Sequence, residues 1–529
     1  MKKQCTIFIF AMTSLIALAV ARPAFGATRY VAQTAGIFSG GTACNGQTAI
    51  TPATFNGLTN SPGDVNYVCG TITGSAGSTL LSPNGNGSSG NPVQIIFDTG
   101  AILQAPYFAG PPNGGCGGAI CLYNKSYYTV DGGTNGIIQN TANGTTLSYK
   151  QTTEAIEGMN CSNCTVKNLT ISNMYVHTST SDDTEDQTGI RCITLTGSNW
   201  TISNNIMHDA GWCLFQPYNS GDTNTNIYNN EIYNIDHGWI LATQSAGGNS
   251  GPFNFNNNHV HDYSNWDTTS NSYHHDGIHC YTSTGSGGSA HFSALNIYNN
   301  TFDGSTGVNI TAHIFNEGGS GSGSTPCSDG SSVINIYNNL LSANSPINNG
   351  LIAANTGVEN VYNNTFIGSG TGSGVGFYIQ GGQSDTVVFK NNALTGFNQI
   401  INIPSGVNFT ADYNEYGNGG SNAFVCHGNF YDPSTISSWK SCIGGEGNSG
   451  YSASLTLSSS GIPLTGSVLI NAGTNLSSLC SQSSTALLCS DRVGNPRPGS
   501  GAWTVGAFVA NSSTGPLPPT NLTGNVTAK

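Results

Sequence analysis

A short unit built around paired asparagines recurs between residues 201 and 392. Its copies are Thr201-Ile-Ser-Asn-Asn205, Asn226-Ile-Tyr-Asn-Asn230, Asn254-Phe-Asn-Asn-Asn258, Asn296-Ile-Tyr-Asn-Asn300, Asn335-Ile-Tyr-Asn-Asn339, Asn360-Val-Tyr-Asn-Asn364 and Val388-Phe-Lys-Asn-Asn392. The first Asn of each pair falls at 204, 229, 257, 299, 338, 363 and 391, in steps of 25, 28, 42, 39, 25 and 28. Two residues before it stand Ile202, Ile227, Phe255, Ile297, Ile336, Val361 and Phe389. Two residues after the second Asn stand Met207, Ile232, Val260, Phe302, Leu341, Phe366 and Leu394. All are apolar and their neighbours are mostly polar, which is strand alternation on both sides of a corner. A period of this size signals a solenoid with one coil per repeat. Each strand then pairs with its counterpart one coil later, about 4.8 Å away. Asn suits the corner because it tolerates a left-handed backbone and its amide can bond to the Asn above and below. Leucine-rich and propeller repeats carry other spacings and motifs. The expectation is an all-β chain folded as a parallel β-helix with terminal caps, right-handed because parallel crossovers are.

The ends of the chain read differently. Lys2 and Lys3 precede an apolar run from about Cys5 to Val20, and Ala24-Phe25-Gly26 follows. This is the pattern of a secretory signal peptide cut after Gly26; the run is short for a membrane span and no stop-transfer pattern follows it. No membrane insertion is expected. Removing Lys2, Lys3 and Arg22 from the 13 basic residues leaves 10 against 26 acidic ones. So acidic a surface excludes nucleic acid as a partner, since phosphate neutralisation needs clustered Lys and Arg. It also disfavours polyanionic sugars unless calcium bridges them. Charged residues make up only 7% of the chain, against about 25% in ordinary domains. With a normal apolar share this indicates an ordered β-rich protein rather than disorder.

Of 15 cysteines, Cys5 lies in the leader. The even remainder in an exported chain suggests disulfides. Spacing does not fix connectivity; the sequence-local set is Cys44–Cys69, Cys116–Cys121, Cys161–Cys164, Cys192–Cys213, Cys280–Cys327, Cys426–Cys442 and Cys480–Cys489. Zinc at Cys161-x-x-Cys164 is the rival reading, and no second such pair follows it.

The repeats resemble the right-handed parallel β-helix superfamily of pectate lyases, polygalacturonases and related exported proteins. Tyr30-Val31, Gly63-Asp-Val-Asn-Tyr-Val-Cys-Gly70 and Gly90-Asn-Pro-Val-Gln-Ile-Ile-Phe97 look like its entry coils. Asp491-Arg-Val-Gly-Asn-Pro-Arg-Pro498 and Trp503-Thr-Val-Gly-Ala-Phe508 resemble its closing segment, so the likeness covers about residues 28 to 510. These motifs speak for architecture; the scaffold hosts many chemistries. The organisation expected is a signal peptide (1–26), an N-terminal cap and first coils (27–160), regular coils with loop insertions (161–404), C-terminal coils and cap (405–510) and a linker or tail (511–529). Pro518-Pro-Thr-Asn-Leu522 looks like the approach to a fibronectin-type module. The two long steps place insertions at Tyr263–His275 and Glu317–Ser332, on loops that could wall a groove.

Ionisable residues crowd between 182 and 317. Three places after the second corner Asn lie His208, Tyr233, His261 and Asp303; one place further lie Asp209, Asn234, Asp262 and Gly304. In register, the first set forms an outward column, and the His208–Asp209 and His261–Asp262 pairs make an acid–base cluster; the alternative is a row of polar turn residues. The densest stretch is Tyr273-His-His-Asp-Gly-Ile-His-Cys-Tyr281, with His275, Asp276 and His279 as catalytic candidates. The resemblance maps the Asp-Gly-Ile core of polygalacturonases to Asp276, but their paired Asp-Asp, Gly-His-Gly and Arg-x-Lys have no counterpart here. Lyase chemistry would need a cation, and Arg191 is the one Arg between Arg29 and Arg492. It would neutralise a uronate while His or Tyr serves as base. Asp182, Asp183, Glu185 and Asp186 have the oxygen density of a calcium site, with a solvated acidic turn as the simpler reading of the same residues. His274, His275 and His279 are an alternative transition-metal set. Trp212, Tyr233, Trp239, Trp266 and Tyr281 are candidate sugar-stacking residues. The column Tyr228, Tyr298, Tyr337 and Tyr362 reads either as sugar-binding or as cross-strand support.

Three functions fit: a secreted polysaccharide lyase or glycoside hydrolase, a non-catalytic glycan-binding or adhesion protein, and a purely structural solenoid. The last leaves the histidine clustering unexplained. The expected partner is a polysaccharide or surface glycan, met by a monomer.

Overall fold

The computed structural model describes residues 26–111, 115–177, 189–243, 250–267, 275–282, 291–307, 310–317, 327, 331–344, 347–353, 357–370, 374–380 and 386–510. Among them, a 34-stranded sheet winds through the chain, its strands pairing in parallel with their counterparts one coil on, except for the antiparallel pair Phe424–Cys426 and Asn429–Tyr431 near the C-terminal end. The architecture is a right-handed parallel β-helix. One interior column runs Ile202, Ile227, Phe255, Ile297, Ile336, Val361, Phe389 and Ala411 in unbroken register. A second runs Met207, Ile232, Val260, Phe302, Leu341, Phe366, Leu394 and Tyr416. The fourteen apolar positions read from the repeat are all 0% exposed. The 42- and 39-residue steps do not disturb the register, because each coil closes on its predecessor whatever its loops contain.

The two corner asparagines divide the work. The first of each pair turns the chain, with φ between 51° and 59°, which only Asn, Asp and Gly adopt readily. The second points inward and is at most 1% exposed. Its Nδ2 donates to Oδ1 of the next coil's Asn, from Asn205 through Asn230, Asn258, Asn300, Asn339, Asn364 and Asn392 to Asn414, at 2.9–3.3 Å. The same amides also donate to carbonyls of an earlier coil, as Asn339 Nδ2 does to Ile297 O at 2.9 Å. A buried polar row is tolerable only when every donor has a partner. At the end of the row Asn414 Nδ2 donates to the Glu446 carboxylate at 3.1 Å, so Glu446 terminates the ladder.

Phe55, on the short helix Pro52–Gly57, closes the N-terminal end of the core. Trp439, on helix Ile436–Ile443, packs on Phe424 and Tyr416 at the other end. The chain then runs back along the outside of the asparagine corner. Asn391 donates to Thr474 O, Asn363 to Gly506 O and Asn338 to Ser490 O at 2.8–3.2 Å. Arg497 Nη2 donates to Asn338 Oδ1 at 3.0 Å, and Arg492 Nε to Asn300 O at 3.3 Å. This strap buries Tyr337 and Tyr362 under Leu476, Leu488 and Trp503, so those two support the wall rather than face a sugar.

Six of the seven sequence-local disulfides form, Cys161–Cys164 among them, which removes the zinc reading there. The seventh does not: Cys192 and Cys213 are buried free thiols. They sit one rung apart in the interior, next to the paired Ile193 and Leu214. Neighbouring parallel strands hold such side chains side by side at about 4.8 Å, rather than turning their Cβ atoms toward the roughly 3.8 Å of a cystine.

Candidate functional site

The third strand of each coil carries the chemistry. It does not alternate simply. Positions 276 and 279 face outward, while Gly277 and Ile278 lie inward. A Cβ on Gly277 would stand 2.8 Å from the Phe302 ring and 2.5 Å from His313 O, so the backbone must come this close to the core and only Gly allows it. The same device recurs in His237-Gly-Trp239, Asn349-Gly-Leu351 and Val375-Gly-Phe377. It turns a pair of side chains, three residues apart, onto one outer face in these coils.

Along that face one row runs Glu154–Arg191, then Trp212–His237–Asp276–Ala312. The second runs Glu157, Thr194, Phe215, Ile240, His279 and Phe315. Where the rows meet the 42-residue step, ionisable groups converge. His237 Nε2 stands 3.5 Å from Asp276 Oδ2, and its Nδ1 3.5 Å from Asp236 Oδ2. His279 Nδ1 lies 3.9 Å from the same Asp276 Oδ2, and its Nε2 3.3 Å from Glu317 Oε2. Ala312 N donates to the other Asp276 oxygen at 3.0 Å. Behind them His275 Nδ1 is in close contact with Asp236, and its Nε2 is 3.3 Å from Asp267. Asp236, His237, Asp267, His275 and Asp276 are all at most 1% exposed. Burial works to raise the Asp236 carboxyl, but His275 and His237 hold it well below its usual range. Burial likewise pulls His275 down, and Asp236 and Asp267 override this, carrying it to about 9.

Aromatic rings line the same face. Trp212 meets His237 edge-on with centroids 5.6 Å apart, Phe315 stacks on His279 at 4.7 Å, and Tyr281 lies 4.7 Å from His279. Glu317 and Tyr281 are partly exposed and mark the open rim. Two coils toward the N-terminus, Arg191 lies 3.9 Å over the Phe215 ring, opposite Glu154. Burial and the neighbouring Glu157 hold Glu154 well above the ordinary carboxylate range; burial also lowers Arg191.

The sequence candidates thus separate into two groups. His275, Asp276, His279, Trp212, Tyr281 and Arg191 share this face. His208, Tyr233, His261 and Asp303 do form the expected column, but on the adjoining face. Asp209, Asn234, Asp262 and Gly304 make the corner between the two faces, with φ of 53°, 48°, 49° and 83°. Within the column Tyr233 is sandwiched between His208 and His261, with centroids 4.7 and 4.9 Å away. His208 Nδ1 is 2.5 Å from Asp209, and His261 Nδ1 2.7 Å from Asp262. His259 Nε2 is 2.6 Å from Asp303. Trp239 must be corrected: its ring is 0% exposed and stacks on Phe255 inside the coil, out of reach of a sugar. Trp266, within the Tyr263–His275 insertion, stacks on His177 with centroids 3.5 Å apart. Asp182, Asp183, Glu185, Asp186, Tyr273 and His274 lie outside the described residues.

Asp236, His237, Asp267 and Glu317 were not singled out by sequence as site residues. The recurrent Gly after an outward residue was the available signal: His237-Gly-Trp239 matches Asp276-Gly-Ile278.

No family model matches the chain, and no curated protein matches it. Solved structures do. A tailspike protein of E. coli bacteriophage HK620 aligns at 11% identity and a TM-score of 0.42, over 82% of this chain and 72% of its own. The PL6 family alginate lyase AlyGC aligns at 12% and 0.37, over 75% of this chain. This chain spans about half the length of that lyase, 49%. Pectate lyase Pel9A aligns at 13% and 0.34, over 92% and 96%. The fold assignment rests on the chain's own register.

Proposed function

We propose that this chain is a secreted carbohydrate-active enzyme that cleaves a polysaccharide, as lyase or glycoside hydrolase, along the outer face centred on His237, Asp276 and His279. One observation carries the reading: on a solenoid poor in charge, His and Asp side chains from two successive coils converge beside Trp212, Tyr281 and Phe315. Aromatic rings next to an acid–base group are what a sugar ring and its scissile bond require. His279, at the rim, is the member that meets substrate; Asp276 orients it, and Arg191 sits farther along the same face for an acidic subsite. Six disulfides support an oxidising, extracellular setting. Among the described residues no helix is long and apolar enough to cross a membrane.

Glycan binding without cleavage is the second reading. It is favoured by the His208–Tyr233–His261 stack, which is partly exposed on the adjoining face. Neutral and acidic polysaccharides should be assayed for new reducing ends and for absorbance of unsaturated products. His279→Ala and Asp276→Asn, with unchanged melting curves, should abolish whichever activity is found. Activity that survives in both folded variants removes this site. Retention on a glycan column without cleavage selects the second reading.

A further inference from the structure

We infer that His237 Nε2, Asp276 Oδ2 and His279 Nδ1 form a buried three-ligand site for a zinc-class divalent transition-metal ion. The inference deepens the proposed function of the same face and rests on that reading only for the ion's part in cleavage; binding stands by itself.

Spacing is the first reason. Asp276 Oδ2 lies 3.5 Å from His237 Nε2 and 3.9 Å from His279 Nδ1. These gaps are too long for hydrogen bonds, which run to about 3.2 Å. They are close to the roughly 3.4 Å edge of a tetrahedron whose corners lie 2.0–2.1 Å from zinc. The three donor atoms are mutually within 4.8 Å.

The second reason is what holds each ligand from behind. The far nitrogen of His237 faces Asp236 at 3.5 Å, and the far nitrogen of His279 faces Glu317 at 3.3 Å. The second oxygen of Asp276 takes the Ala312 N–H at 3.0 Å. Glu317 behind His279 favours the tautomer that turns the Nδ1 lone pair toward Asp276, as a carboxylate behind a metal-bound histidine does, while Asp236 faces His237 across the longer gap. His275 in turn holds Asp236, and Asp267 holds the other nitrogen of His275.

Charge is the third. Asp236, Asp267 and Asp276 are at most 1% exposed within one small volume. Carboxylates so far from water need compensating positive charge; His275, between Asp236 and Asp267, supplies one positive charge, and a dication held by Asp276 adds to it.

Two rival clusters have comparable spacing and are set aside on their own geometry. In Asp236, His237 and His275 the His275 Nδ1 is in direct contact with the Asp236 carboxylate, which leaves no room for an ion between these two donors. In Glu231, His259 and His261 the two imidazoles stack face to face with centroids 4.2 Å apart, so their in-plane lone pairs run side by side rather than toward one ion. Two nitrogens and one oxygen suit zinc, manganese or ferrous iron and not calcium, which takes oxygen ligands.

The full-length secreted protein should be stripped with a chelator and titrated with zinc alone by calorimetry, with cobalt as a spectroscopic stand-in. One ion per chain is expected, with the visible absorption of tetrahedral cobalt. His237→Ala, Asp276→Asn and His279→Ala should each lose that ion while circular dichroism stays unchanged. If a ligand variant unfolds, Glu317→Gln decides: it should keep the stoichiometry and weaken binding about 10- to 100-fold. The partly exposed His291→Ala should bind as the parent does. One-to-one binding that survives all three ligand variants, or no stoichiometric binding by the folded parent, overturns the site. A bound ion without polysaccharide cleavage leaves the site standing and removes the catalytic reading; cleavage without an ion does the reverse.

Discussion

Asn339→Ala tests whether the amide ladder, rather than the apolar columns alone, holds successive coils together. Asn339 Nδ2 donates to Ile297 O at 2.9 Å and to Asn364 Oδ1 at 3.0 Å. Its Oδ1 accepts the backbone N–H and the Nδ2 of Asn300, both at 3.0 Å. Alanine fits the local backbone, since only the preceding Asn338 has positive φ. The change therefore removes four bonds and strands three buried groups: two Asn300 donors and the Ile297 carbonyl. An orphaned buried group costs about 1–3 kcal/mol, so the sum is about 5 kcal/mol. That is comparable to the whole margin of many domains, about 5–15 kcal/mol. Asn226→Ala is the control. Asn226 Oδ1 accepts from Asn254 Nδ2 at 3.0 Å, but Asn226 is half-buried and water can replace it, so the loss should stay below about 1 kcal/mol. Urea unfolding followed by tryptophan fluorescence measures both, with the m-value checking that the transition itself is unchanged. Equal losses from the two substitutions would refute the ladder as a stabilising element.

Two further outcomes can be checked directly. Burial pushes Glu446 up to about 8, against the bonds it accepts from Tyr416 and Asn414. A carboxyl raised by folding contributes stability that is full below its ordinary value of 4.5 and is lost as pH rises through about 8. Melting temperature should thus fall between pH 5 and 9, and Glu446→Gln should flatten that slope. The slope will not vanish, because burial also raises Glu415 to about 7; an unchanged slope in Glu446→Gln would contradict the assignment. Alkylation of the denatured, unreduced protein followed by peptide mapping should label Cys192 and Cys213 and leave the twelve paired cysteines untouched. A Cys192–Cys213 cystine peptide would show that the two strands can turn their side chains together after all.

The repeat by itself determined the solenoid, its two interior columns and the outward His208–Tyr233–His261–Asp303 column. Each follows from period-two alternation counted outward from an asparagine pair, and alternation is local. The identity of the corner was legible in the same way, though not the split of labour between a turning Asn and a bonding Asn, which look alike in one dimension. The chemical face was only half legible. His275, Asp276 and His279 stood out by density, but His237 and Asp236 did not. Counted from the first corner Asn, Trp212 and His237 come 8 residues later, Asp276 comes 19 later and Ala312 comes 13 later. Loops of unequal length intervene, so no fixed offset places them in one row; only the pairing of strands does. Trp239 was misplaced for a related reason. The glycine device makes two successive residues point inward, and simple alternation then assigns the second to the wrong side. Burial of Asp236 and Asp267 beside His275, and the approach of two imidazoles to one Asp276 oxygen, arise between coils distant in sequence, where tertiary packing alone sets the distances.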